Sequence, residues 1–212
     1  MAAATVREIE TPSGTARAHV SRPARRGSAG LAVLGHGAGG GVEAADLLAV
    51  TAALLDLGWV VARVEQPYRV KGRRAPEAAP RLDAAWVAVL AALARRTTGP
   101  TLVAGRSSGA RVACRTAHAV GAAAVLALAF PLHPPGKPEK SRVEELAGVT
   151  RPVLVVQGDR DPFGNEDELR AALGPEPASY RTIVSVPGDH SLRPSIAATA
   201  AAVTRWLSGI SL

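Results

Sequence analysis

Short apolar runs recur along the chain, each closed by glycine, proline or a charged residue, and the stretches between them carry apolar residues at helical spacing. Leu31–Gly35, Trp59–Val64, Thr101–Ala104, Ala124–Phe130, Pro152–Gly158 and Tyr180–Val186 read as buried strands, and the weakly alternating Gly14–Val20 as an edge strand. Residues 43–57 predict a helix, with Leu47, Leu48, Leu54 and Leu55 in register and Gly58 as its stop. A second helix runs from about Arg81 to Arg96 with Leu82, Trp86, Val89 and Leu93 on one face. Helices follow over 109–119, near Ser141–Ala147, and from the capping-box pair Asn165 and Glu168 to Leu173, with Gly174 and Pro175 just past its end. The last helix carries Ile196, Ala200, Val203 and Leu207 on one face. Residues 65–80, with three prolines and a basic run, read as a loop, as does PLHPPGKP after the fourth buried strand.

Strand alternating with helix implies an α/β fold, a mostly parallel sheet covered on both faces. A chain of 212 residues fits one domain spanning 1–212, and about twenty residues between Phe130 and Pro152 leave no room for a large cap, so an open cleft is expected. In such sheets functional groups collect at the carboxyl ends of the strands. Those ends carry Gly35-His36-Gly37-Ala38-Gly39-Gly40-Gly41, Gln66-Pro67-Tyr68, Ser107, His133, Asp161 and His190.

Composition narrows the setting. Only 3% of residues are aromatic against 47% hydrophobic, so the core must be built from Ala, Val and Leu. No apolar run reaches the ~18 to 20 residues of a membrane span, MAAATVREIE lacks the pattern of a signal peptide, and the single Cys114 cannot form an internal disulfide; a cytoplasmic protein with a buried structural thiol is expected. The formal charge is +7, and only Lys71, Lys137 and Lys140 among the 25 basic residues are lysine. Apart from the pairs Arg25/Arg26, Arg73/Arg74 and Arg95/Arg96 the arginines are scattered, without aromatic interleaving, which favours a solvated basic surface over a nucleic-acid partner.

The chemistry is concentrated in TLVAGRSSGARVA, residues 101–113. Gly105-x-Ser107-x-Gly109 between a strand and a helix fits a nucleophile elbow, a strained turn that lifts its central serine above the sheet. A serine hydroxyl needs a general base, and the base needs a third group to orient it. The elbow demands the order serine, acid, histidine, and His190 is the only histidine after residue 133. GDRDPFG offers Asp159 and Asp161, which spacing alone does not separate; Asp161, further from the strand and fixed by Pro162, is the choice. Asp189 adjoins His190 in sequence and has poor geometry for orienting that ring. For an oxyanion hole, Ser108 would give one backbone N–H at the start of its helix and Ala38, inside HGAGGG, the other. HGAGGG lacks the Lys-Ser/Thr of a P-loop and the spacing of a dinucleotide fingerprint.

HGAGGG, VEQPYRVKGRR, AGRSSGAR, FPLHPPGKPEK, VLVVQGDRDPFG and PGDHSL, in this order, span nearly all of the chain from residue 31. In these motifs the chain resembles the α/β-hydrolases, and within them the small, lid-poor dienelactone-hydrolase-like branch. That branch includes testis-expressed hydrolase-like proteins and a subunit of a histone-acetyltransferase complex. The resemblance implies a Ser107, Asp161, His190 triad with Ala38 and Ser108 at the oxyanion hole. Methionine or another bulky residue is commoner in the branch where Ser108 stands; the departure leaves the backbone donor and changes the pocket wall.

His36 is expected to pack at its strand end and shape the oxyanion loop, and His133 to line the pocket or fix its loop. Tyr68 reads either as a pocket wall or as a buried aromatic under a loop, while Arg106 and Lys137 suit an anionic substrate. No HxH or HExxH spacing suggests a metal. The expected reaction is hydrolysis of a carboxylic ester or thioester of a small substrate, with no cofactor and no membrane partner. The alternative of another class is a catalytically idle scaffold or binding protein; Ser, Asp and His at three separate strand ends argue against it. A peptidase or amidase is the alternative among enzymes.

Overall fold

The computed structural model describes residues 4–24, 27–174 and 180–212, so the Arg25/Arg26 pair and Pro175 lie outside the described residues. In chain order the elements are β1 (Thr5–Ile9), β2 (Ala16–Ser21), β3 (Leu31–Gly35), α1 (Ala45–Asp56), β4 (Val60–Glu65), α2 (Pro67–Val70), α3 (Ala79–Ala94), β5 (Thr101–Arg106), α4 (Ser108–Thr116), β6 (Ala124–Leu128), α5 (Val143–Ala147), β7 (Val153–Gly158), α6 (Glu166–Leu173), β8 (Arg181–Val186) and α7 (Ile196–Ser208). The strands form one eight-stranded sheet of order β1-β2-β4-β3-β5-β6-β7-β8. β1 and β2 pair antiparallel, β2 pairs antiparallel with β4, and every pair from β4 to β8 is parallel.

The period of two along the strands divides the core. Val33, Val103, Val125 and Val155 face one side, where they meet Leu82, Trp86 and Val89 of α3, Val112 of α4, Leu146 of α5 and Leu169 of α6. Leu34, Leu102, Leu126 and Leu154 face the other, against Leu47, Val50 and Leu54 of α1 and Val203 and Trp206 of α7. Cys114 is buried in the first of these clusters, and burial pushes its thiol up to about 12, as fits an inert packing residue.

The structure departs from the sequence-based expectations in three places. The edge strand is β1, whose TVREI shows little alternation because most of it meets solvent and only Ile9 packs against the core; the segment expected at the edge, β2, lies inside it. The loop predicted over 65–80 contains the short α2, with Pro67 at its first turn, and the start of α3, with Pro80 in its first turn. Proline is accommodated there because the first-turn N–H groups have no intrahelical acceptor. The buried face of α7 is Thr199, Ala202, Val203 and Trp206, while Ile196, Ala200 and Leu207 are half-buried. The bulky Trp206 ring is drawn into the core beside α1 and turns the helix accordingly. Among the described residues, no helix is long and apolar enough to cross a membrane, and no large cap covers the carboxyl edge of the sheet.

Candidate active site

β5 ends at Arg106, and the next residue turns sharply: Ser107 has φ 53° and ψ −114°, in the left-handed half of backbone space that a non-glycine residue rarely enters. The turn is possible because its flanks have no side chains. A Cβ on Gly105 would run into the backbone of Gly109, and one on Gly109 would run into the backbone carbonyls of Gly35 and His36. Backbone cannot move aside as a side chain tip can, so Gly109→Ala is expected to destabilise the fold by about 3 kcal/mol or more, measured by urea unfolding.

Ser107 is the N-cap residue of α4, yet its hydroxyl makes no capping bond to the helix. It faces His190 instead, with Oγ 2.8 Å from Nε2. His190 Nδ1 is 2.8 Å from Asp161 Oδ2. Because a carboxylate only accepts, Nδ1 carries the proton and donates, which leaves the Nε2 lone pair for the serine O–H. Asp161 is fully buried at its side chain and accepts two further bonds, from Gln157 Nε2 at 2.9 Å and from the Phe163 N–H at 2.8 Å. The structure thus brings the three expected side chains into one relay. It also separates the two aspartates, because Asp159 lies on the rim and accepts from the Gly188 N–H at 2.7 Å. Asp189 caps Ser191.

The loop after β3 is held from beneath. His36 Nε2 accepts from the Gln66 N–H at 3.2 Å, so its Nδ1 carries the proton and donates to the Gly37 carbonyl at 2.8 Å. Burial lowers the His36 pKa, in keeping with this neutral tautomer. The Tyr68 hydroxyl donates to the Ala38 carbonyl at 2.9 Å. Across a trans peptide the carbonyl and the following N–H point in opposite directions, so the tether on the Gly37 carbonyl turns the Ala38 N–H away from the His36 ring. Ser108 opens α4, where a first-turn N–H has no intrahelical acceptor. Its residue lines a cavity of about 10 Å³ together with His36, Gln66, Tyr68 and Trp86.

Tyr68, His133 and Arg106, the candidates for substrate contact, each have partners within the protein, and for Tyr68 and His133 these match the second of the two readings. Tyr68 is 2% exposed under the loop it braces, and burial pushes its phenol up to about 12. His133 is buried, with Nδ1 3.0 Å from the Pro134 carbonyl and Nε2 3.2 Å from Glu168, so it fixes its loop against the start of α6. The Arg106 guanidinium is engaged by Asp46 and by the His190 carbonyl. Two contributors escaped the sequence reading. Gln157 is wholly buried and donates to Asp161, and Phe163 stacks on His190 with ring centroids 4.2 Å apart and planes at 30°. Both sit within four residues of Asp161, but neither has a motif of its own. Among the described residues no group of three or more His, Cys, Asp or Glu is arranged to hold a metal ion.

The sequence matches the alpha/beta hydrolase domain family over residues 28–207, which is most of its length. The chain belongs to that family. No curated protein is matched in sequence. An alpha-beta serine hydrolase homologue from Coxiella burnetii has the same α/β-hydrolase architecture, with TM-score 0.81 at 19% identity over 97% of this chain and 98% of that one. A Xanthomonas campestris α/β serine hydrolase without lid gives 0.80 at 19% identity over 99% and 95%. Est1E from Butyrivibrio proteoclasticus, in a structure with ferulic acid bound, gives 0.80 at 18% over 96% and 98%. At these identities the likeness is one of fold.

Proposed function

We propose that this α/β-hydrolase family member is a serine hydrolase, cleaving a carboxylic ester or thioester of a small substrate through an acyl-serine intermediate. The observation that carries the reading is the unbroken relay from Ser107 Oγ to His190 to Asp161, two contacts of 2.8 Å in which only one tautomer fits. His190 takes the serine proton as Oγ bonds to the substrate carbonyl carbon, then gives it to the departing alcohol or thiol. Water, deprotonated by the same ring, attacks the acyl-serine, and the acid leaves as the proton returns to Oγ. Asp161, with its carboxylate held by Gln157 and Phe163, orients the ring and stabilises its cationic form.

The backbone N–H groups of Ala38 and Ser108 are the proposed oxyanion donors. Their support is the tethered Gly37 carbonyl and the uncapped start of α4. Because the donor on Ser108 is main chain, Ser108→Ala is expected to retain kcat within about tenfold, against the ~10² to 10³ that loss of an oxyanion donor costs. A larger loss would give its hydroxyl a direct part. Assignment to the dienelactone-hydrolase-like branch belongs to the same proposal and rests on the ordered motifs from HGAGGG to PGDHSL.

The test is labelling of the purified protein by an active-site serine phosphonylating probe. The expected result is one phosphonyl group per chain on Ser107, read by peptide mass spectrometry. An unlabelled wild-type protein, or equal labelling of Ser107→Ala, would sink the proposal.

A further inference from the structure

We infer that Arg106 is a positioning residue: paired with the buried Asp46, its guanidinium ties the His190 loop to the strand end that carries the nucleophile. The inference rests on the serine-hydrolase reading above and deepens it. Arg106 Nη2 donates to the His190 carbonyl at 2.9 Å, and its Nε lies 3.1 Å from Asp46 Oδ2. The third corner of the fork, Nη1, lies against Gly37, where a Cβ would meet it at 2.8 Å. One guanidinium therefore spans the oxyanion loop, α1 and the loop of the general base, while its backbone adjoins Ser107.

The tether matters because of what else holds that loop. From the β7 side, Gly188 is fixed by Asp159 Oδ1 at 2.7 Å and by the Arg160 N–H at 2.9 Å, and Ser195 Oγ donates to the Pro187 carbonyl at 2.6 Å. From the nucleophile side, among the described residues, only two hydrogen bonds join residues 105–109 to residues 187–192. One is the Ser107–His190 contact itself, and the other is Arg106 to the His190 carbonyl. On the nucleophile side, the arginine next to the serine is thus, among the described residues, the one tether, besides the reacting pair itself, that places the base.

Asp46 fits this role better than it fits a surface ion pair. Its side chain is 4% exposed, and burial pushes its carboxyl pKa up against the pull of the Arg106 charge, so the pair is mutually dependent. The planar guanidinium pairs by charge with Asp46 at Nε while its Nη2 donates to the His190 carbonyl, a spread of contacts that a lysine ammonium on a flexible stem cannot reproduce. Arg106 is accordingly spent on geometry, and its expected contact with an anionic substrate gives way to this arrangement.

The experiment compares Arg106→Ala, Arg106→Lys and Asp46→Asn with wild type on a neutral ester and its carboxylated analogue. A misplaced base predicts kcat lower by about 10²-fold for Arg106→Ala on both esters, with KM within about threefold. Added guanidinium ion is expected to recover about tenfold of that loss, while Arg106→Lys stays impaired because it lacks the fork. Asp46→Asn, which keeps the side chain's shape, is expected to lower kcat in the same direction and provides the reading if Arg106→Ala fails to fold. Amide hydrogen exchange across residues 187–192 is expected to quicken in the folded variants. A loss confined to the KM of the carboxylated ester, or unchanged kcat and unchanged exchange, overturns the inference. If the wild type hydrolyses neither ester, the hydrolase reading fails by itself, and the exchange rates still decide whether Arg106 holds the loop.

Discussion

Ser107→Ala is expected to lower kcat on a chromogenic ester by on the order of 10⁴- to 10⁶-fold while leaving the melting temperature nearly unchanged. The large kinetic effect follows, in the proposed mechanism, from the removal of the atom that would form the covalent intermediate; what would survive is the contribution of binding and of the proposed oxyanion donors. The small thermal effect follows from the backbone. Ser107 sits at φ 53° because Gly105 and Gly109 let β5 and α4 approach closely, and alanine bears the same conformational cost as serine there. Its hydroxyl caps nothing in α4, so no helix-stabilising bond is lost. Retention of more than a tenth of wild-type kcat in a folded Ser107→Ala protein would remove the serine from the chemistry.

Asp161→Asn should cost about 10⁴-fold in kcat, through the tautomer of His190 rather than through the fold. Asp161 presents its carboxylate to three donors: Gln157 Nε2, the Phe163 N–H and His190 Nδ1. An asparagine can keep its oxygen on the Phe163 N–H, but its amide then donates toward His190 Nδ1. The ring must place its proton on Nε2, where it faces Ser107 and can no longer accept. Asp159→Asn is the matched control. Its side chain lies on the rim, about half exposed, and an asparagine oxygen still accepts from the Gly188 N–H, so activity close to wild type is expected. Steady-state kinetics of the two variants distinguish the aspartates directly, and equal losses would remove Asp161 from its special place.

Much of this arrangement is legible in the chain because it depends on local rules. The elbow is written by two glycines around a serine between an apolar run and a helix, and the parallel sheet by strand alternating with helix. The capping box of α6 is likewise local: the Asn165 side chain accepts from the Glu168 N–H at 3.0 Å and Glu168 accepts from the Asn165 N–H at 2.9 Å. Features that depend on distant packing are less legible. β1 carries little apolar alternation, since only Ile9 at its end packs against the core, and the turn of α7 about its axis follows the packing of Trp206 beside α1. Tyr68 could be read as a pocket wall or a buried brace, and only the position of the Ala38 carbonyl 2.9 Å from its hydroxyl decides between them.

Charge illustrates the same division. The sequence places a cationic side chain beside the nucleophile, and a substrate anion is its natural partner until the buried Asp46, 60 positions earlier in the chain, is seen 3.1 Å from it. A long, flexible arginine can reach many acceptors, and which one it takes depends on which acceptors the fold has stripped of water. By itself the sequence determined the α/β architecture, the candidates Ser107 and His190 with an aspartate of GDRDPFG between them in chain order, and the glycines that make the elbow possible, because hydrophobic period, turn sterics and chain order are local or one-dimensional. Tertiary structure alone decided that Asp161 and not Asp159 meets His190, that Gln157 and Phe163 support that pair, and that Arg106 is spent on the His190 loop. Those outcomes depend on burial and on hydrogen-bond distances between residues far apart in the chain, which no spacing along it encodes.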